Sequence, residues 1–166
     1  AVFISFDRLR TLGRFTSHEE VREAGGLHIL DTYEMLAEFT KTEATVFVSH
    51  QWLAFTSPDP DAVQYRALLE ACDVLCNLKG IAADKLYVWL ECVLLPHCTI
   101  AQWYPHLTRV DRMRSWCCVC SYLSIPQVNN SLKQLAINSL AVLSASCRYF
   151  IILAPDGTHA DTSSEA

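Results

Sequence analysis

The chain carries no surplus of positive charge. Thirteen Lys and Arg stand against eighteen Asp and Glu over 166 residues, a formal net charge of −5, so nothing is in excess to neutralise a phosphate backbone or an anionic leaflet. Nucleic acid and membrane surfaces are therefore not expected as partners. No apolar run approaches the roughly 20 residues that cross a bilayer, and Ala1-Val2-Phe3-Ile4-Ser5-Phe6-Asp7-Arg8 lacks the basic start and long apolar middle of a signal peptide. The Gly-x-Gly-x-x-Gly fingerprint and the Walker loop are missing, which removes Rossmann and P-loop nucleotide binding. So is the Gly-x-Ser-x-Gly elbow of serine hydrolases. An initiating Met is absent as well, and the chain is expected to be a fragment, with room for a targeting segment upstream.

What the chain has is apolar mass. With 51% hydrophobic residues it can bury one full core, whereas two halves would each be too small to be secure, so a single domain is expected. Eight cysteines would suggest a disulfide framework in a secreted chain. Here Cys92, Cys98, Cys117, Cys118 and Cys120 crowd one stretch, and Cys72, Cys76 and Cys147 sit in apolar segments where a thiol acts as a small hydrophobe. That distribution points to a reducing, cytoplasmic setting.

Hydrophobic spacing orders the chain. Residues 1–43 read as a helical lead-in: Ser17 caps one helix that Gly25-Gly26 stops, and Asp31 caps a second in which Tyr33, Leu36, Ala37 and Phe39 share a face. Val46, Phe47 and Val48 open the first strand, and Ser57-Pro58-Asp59-Pro60-Asp61 is a loop that cannot continue it. Val63, Ala67, Leu68, Ala71, Leu75 and Leu78 recur at helical period over 62–78 and predict a helix. The run at 85–90 reads as a second strand with both faces covered. Leu132, Leu135, Ala136, Ser139, Leu140 and Leu143 predict one helix over 132–145, and the run at 149–154 a last strand that Pro155-Asp156-Gly157 ends. A polar, disordered tail at 157–166 follows. The alternation of strand and helix predicts an α/β fold with a parallel sheet.

Five blocks fall in an order that resembles the Toll/interleukin-receptor-like (TIR-like) and heterokaryon-incompatibility-like (HET-like) domains. They are Val-Phe-Val-Ser-His-Gln-Trp at 46–52, Tyr-Val-Trp-Leu-Glu at 87–91, Ser-Ile-Pro-Gln at 124–127, Ala-Ile-Asn-Ser-Leu at 136–140 and Cys-Arg-Tyr-Phe-Ile-Ile-Leu-Ala-Pro at 147–155. The resemblance covers about residues 44–156. It implies a flavodoxin-like parallel sheet with flanking helices. It also implies signalling by self-association and, in some members, cleavage of NAD at the nicotinamide-ribose bond. No resident cofactor is implied; NAD would be a substrate. The catalytic members place a Glu on a helix after the third strand, and here the only later acids are Asp156, Asp161 and Glu165. NAD hydrolysis is therefore expected to be lost in this fragment.

The segment 92–120 interrupts the resemblance. In relatives the acid that ends the second strand is usually Asp, with the Ile-Pro-Gln loop close behind. If Glu91 is encoded GAG and Cys92 TGC, a splice donor GTGCGT can be written across Glu91 to Val93, and an acceptor TGCAG across Cys120 and Ser121. Excision would restore Asp followed by Tyr122-Leu123-Ser124, so a retained intron is one reading of the segment. A zinc site built from Cys92, His97, Cys98, His106, Cys117, Cys118 and Cys120 is another, but the paired Cys-x-x-Cys knuckles of such sites are missing. A family-specific loop that buries Trp103, Tyr104 and Trp116 is the third.

Candidate site residues gather where the first two strands end. Ser49, His50 and Trp52 would line one wall of a ligand pocket at the strand carboxyl ends and Glu91 the other. Ser49 and His50 are adjacent on a strand and point to opposite faces, which disfavours a nucleophile and base pair. His50 either bonds a phosphate or ribose of a nucleotide ligand or is a corner histidine that ties down the loop at 58–60. Trp52 either stacks on a nucleobase or seals the core edge. Asp59 and Asp61 read as a solvated turn, and Cys147 as a buried, inert thiol.

Overall fold

Strands and helices alternate along most of the chain, and the computed structural model describes residues 1–50, 59–92, 123–125 and 128–156, at 91 and 92 the backbone alone. In chain order come β1 (Val2–Ser5), α1 (Phe6–Arg10), α2 (His18–Glu23), β2 (His28–Ile29), α3 (Tyr33–Thr42), β3 (Ala44–His50) and α4 (Val63–Lys79). A 3-10 turn (Ala83–Lys85), β4 (Leu86–Cys92), α5 (Asn130–Asn138), α6 (Leu140–Ser146) and β5 (Tyr149–Leu153) follow. The strands make one sheet in the order β2-β1-β4-β3-β5.

The three strands expected from the apolar runs are parallel, as the alternation predicts. β3 pairs with β4 from Ala44 opposite Leu86 to His50 opposite Cys92, and with β5 from Val46 opposite Tyr149 to His50 opposite Leu153. Numbered by order of appearance, β3, β4 and β5 lie 2-1-3, which is how the flavodoxin-like strand order begins. The sheet as a whole is mixed, because β1 runs antiparallel to β4 and to β2. Residues 1–43 are thus more than a helical lead-in. Phe3 and Ile4, both fully buried, enter the core on opposite faces of the sheet.

Helices cover both faces. On the first, α4 packs Tyr65, Leu68, Cys72 and Cys76 against Val46, Val48, Val88 and Leu90, with Phe6 and Leu9 of α1 beside them. On the second, α3 and α6 place Leu36 and Leu143 over Phe47, Tyr87 and Trp89. A ladder of rings crosses this second face in strand register: Trp89 stacks on Phe47 at 4.8 Å and Phe47 on Phe150 at 5.1 Å.

Local chemistry explains the helix ends. Ser17 caps α2 through a capping box with Glu20, as its sequence predicts. The cap of α3 is Thr32, whose hydroxyl accepts from the Met35 amide at 3.2 Å, rather than Asp31. The expected helix over 132–145 is two helices. Ser139 divides them, its hydroxyl donating back to the Leu135 carbonyl at 2.9 Å, a competition with the backbone ladder that bends helices.

The core face of α4 takes part of the periodic set, Leu68 with Ala67 and Leu75 at its margin, together with the expected buried thiols. Its buried stripe is Tyr65, Leu68, Cys72 and Cys76, while Leu78 is 75% exposed. The helix carries two adjacent apolar stripes, and the sheet takes the one that holds Tyr65. The phenol of Tyr65 donates to the Leu9 carbonyl at 2.7 Å and accepts from the Gly13 amide at 2.9 Å, which fixes the rotation of α4.

Candidate functional site

The parallel strands end together, so Ser49, His50 and Glu91 share one rim. Ser49 lies opposite Glu91 on β4 and Ile152 on β5, and His50 lies opposite Cys92 and Leu153. Ser49 is half-buried. Trp52, the loop at 51–58 and the segment at 93–122 with most of the zinc donor set lie outside the described residues, as do Gln127 and the tail at 157–166. Among the described residues no three His, Cys, Asp or Glu side chains gather as a metal site.

His50 is only 3% exposed and turns to the first face of the sheet. Its Nδ1 lies 3.0 Å from Gln64 Oε1 on α4, an oxygen that can only accept, so Nδ1 carries the hydrogen. Its ring stacks on Phe15 with centroids 5.1 Å apart, and Phe15 meets Tyr65 edge-on at 5.6 Å. Histidine at the end of β3 thus joins the strand to the first turn of α4 and to the segment between α1 and α2. Asp59 closes the same corner. It is buried, and its Oδ2 accepts from the Tyr65 amide at 2.7 Å, the capping bond that Ala62 has no side chain to make. The sequence gives Asp59 as a solvated turn residue; the bond to a helix amide is what takes it inside. Gln64 was not legible as part of this corner, because a polar residue adds nothing to the apolar period even where, four before Leu68, it shares the stripe.

On the other face a cavity of about 380 Å³ opens between β1, α2 and the α5–α6 pair, with Val2, His18, Arg22, Trp89, Ser124 and Leu135 among its walls. His18 is buried, and its Nδ1 donates to the Leu123 carbonyl at 3.2 Å, which leaves Nε2 with a lone pair in the neutral ring. Burial lowers the imidazole pKa, with the Leu123 carbonyl and Glu19 acting against that shift. Ser124 Oγ accepts from the Leu90 amide at 3.0 Å and keeps its own hydrogen to donate. Arg22 is exposed. Neither His18 nor Arg22 was singled out as a site residue in the sequence. A buried His in the first turn of a capped helix gives no periodic signal of what it faces.

In a 2-1-3 arrangement the crossover helices leave the central strand in opposite directions, and the crevice this creates lies beyond the carboxyl ends of the first and third strands. Here those are β3 and β5, the His50 and Leu153 ends; the sequence reading paired the ends of β3 and β4. The cysteines with described side chains lie away from this rim and are chemically quiet. Cys72, Cys76 and Cys147 are free thiols, and burial pushes Cys72 and Cys147 up to about 12, so neither is a thiolate nucleophile at neutral pH. No helix among the described residues is long and apolar enough to cross a membrane. No family model, curated protein or solved structure matches the chain.

Proposed function

We propose that the chain is a TIR-like or HET-like signalling domain that acts by self-association. One observation carries the reading: the imidazole at the end of β3, the residue best placed to meet a ligand, is enclosed by Phe15 and bonded to Gln64. A strand-end corner spent on joining a strand to a helix favours an architectural role over catalysis. The 2-1-3 order of the parallel strands accords with the flavodoxin-like sheet that the sequence resemblance implies. Sedimentation velocity across a dilution series tests the proposal. A mass that rises with concentration, with no response to added nucleotide, is the expected result; a monomer at every concentration contradicts it.

A second reading, nucleotide binding, is favoured by the cavity beside His18. Its volume falls in the range of small-molecule sites. It offers an acceptor at His18 Nε2, a hydroxyl donor at Ser124 and an exposed guanidinium at Arg22. NAD is the ligand class that the sequence resemblance brings forward. Thermal stabilisation by NAD that is lost in Arg22→Ala would establish this reading. Release of nicotinamide above a no-protein blank would add catalysis to it.

A further inference from the structure

The cavity between β1, α2 and the α5–α6 pair has a buried end and an exposed rim, and the two carry different chemistry. His18, Ser124 and Trp89 are 2%, 1% and 1% exposed and form the inner wall, with Leu30 and Leu143 beside them. Arg22 and Asp31 are exposed and form the rim. Apolar side chains make most of the wall between, and α5, which has no buried residue, contributes Leu132 and Leu135 to it. The inner end lacks a polar counterpart. His18 Nδ1 is taken by the Leu123 carbonyl, and among the described residues nothing donates to Nε2. Burial keeps that ring neutral near pH 7, so Nε2 is an acceptor. Ser124, the residue after Leu123, accepts from the Leu90 amide and has its own hydrogen to give. An acceptor and a donor held out of water are costly to leave unpaired.

We propose that this cavity binds a phenolic α-amino acid, with its ring between the apolar walls, its hydroxyl at His18 and Ser124, its carboxylate at Arg22 and its ammonium at Asp31. A single hydroxyl answers both inner groups, since it donates to Nε2 and accepts from Ser124 Oγ. The rim carries a charge of each sign, which suits a zwitterion, whereas a phosphate would meet Asp31 as well as Arg22. The volume of about 380 Å³ lies at the small end of the range for small-molecule sites, which suits a ligand of one ring. The proposal takes the cavity of the nucleotide reading and gives it a different occupant; self-association stands apart from it.

Isothermal titration calorimetry on the full chain tests it, with L-tyrosine, L-phenylalanine, tyramine and hydroxyphenylpropionate as probes. Tyrosine is expected to bind at least about tenfold more tightly than phenylalanine, because without the hydroxyl a buried acceptor and a buried donor stay unpaired. Two variants at exposed rim positions separate the charges. Arg22→Ala should weaken tyrosine by about tenfold and bind tyramine, which has no carboxylate, no less well than the parent does. Asp31→Ala should weaken tyrosine likewise and bind hydroxyphenylpropionate, which has no ammonium, no less well. Equal affinity for tyrosine and phenylalanine, or tyrosine binding that neither variant weakens, overturns the proposal. Binding of NAD or a nucleoside monophosphate with no heat from any phenolic probe overturns it in favour of the nucleotide reading. No binding by any of these overturns both and leaves self-association standing.

Discussion

β3 and β5 are neighbours in register and close in composition, yet they sit in different solvents. In β3, Val46, Phe47 and Val48 are buried on alternating faces; in β5, Phe150 and Ile152 lie open on one face while Leu153 is buried on the other. An apolar run shows that a segment will pair, because both faces of the pleat must find cover. It carries no mark of which strand will be central and which will be left at the edge. That is decided by where the crossovers lead, and here the two crossovers flank β3 from opposite faces and leave β5 outermost.

The ring ladder turns this contrast into its largest measurable difference. Phe47 is stacked on both sides, by Trp89 and by Phe150, and is 2% exposed. Phe47→Ala is expected to cost about 3–5 kcal/mol, the range for emptying an enclosed aromatic site. Phe150→Ala removes the same ring from the outer rung and is expected to cost about 1 kcal/mol, an aromatic pair without the cavity. Urea denaturation at a concentration low enough to keep the chain monomeric checks both. Equal losses would mean that the edge is covered in solution even by the monomer.

The corner at the end of β3 gives the next contrast, between two adjacent residues. Gln64→Leu deprives the buried His50 of its bond to α4 and is expected to cost about 1–3 kcal/mol, the penalty of leaving a buried donor with a lost acceptor. Ser49→Ala, one residue away and facing the opposite side, is expected to change stability by less than about 0.5 kcal/mol. If Ser49→Ala proves the costlier of the two, the corner is organised around the serine and the architectural reading of His50 fails.

How much of this was legible in the sequence follows from what periodicity can and cannot encode. The three parallel strands and α4 were visible because an unbroken apolar run and a helical repeat are properties of the segment alone. The rotation of α4 was legible only in part. Ala67, Ala71 and Leu78 on one stripe and Leu68, Cys72 and Cys76 on the next are both apolar, and the choice rests on Tyr65 reaching the Leu9 carbonyl, more than fifty residues away in sequence. β1 escaped notice because four residues, Val-Phe-Ile-Ser, are too few to show a period. The rim was half legible: the common end of Ser49 and Glu91 follows from parallel strands, whereas the partners Gln64 and Phe15 come from elements whose approach no local pattern records.

β4 sharpens the comparison from its other side, since its exit must be reached across a long stretch of chain. The Leu90 amide donates to Ser124, 34 residues on, and Leu123 and Ile125 are fully buried beside that bond. The chain thus returns to the place it left. Deleting 92–121 together with Glu91→Asp is expected to keep cooperative unfolding and to raise stability by at most about 2 kcal/mol, the closure entropy of a loop some tenfold longer than its replacement. A deleted form that loses the near-ultraviolet signal of the Trp89 stack would show that the segment is part of the fold. Transcripts that carry it intact would separately dispose of the retained intron.

The smallest effect is in pH, and it separates the covered side of the sheet from the open one. His18 joins α2 to Leu123 on the side closed by β1, and burial is the main reason its pKa lies below the ordinary 6.5. The unfolded chain therefore takes up a proton near 6.5 that the folded chain refuses until lower pH, so stability falls as pH drops below that value and levels off once the folded ring is protonated too. His18→Gln keeps a donor for the Leu123 carbonyl and removes the titration. The variant is expected to lose less stability than the parent between neutral and mildly acidic pH, read as the difference between the two urea midpoints. On the side of β5 the corresponding group is the half-buried Cys147 thiol, pushed up to about 12, and its effect has the opposite sense: stability falls as pH rises from about 9 towards 12. An unchanged acid slope in His18→Gln would place the imidazole in water and remove it from the wall of the cavity.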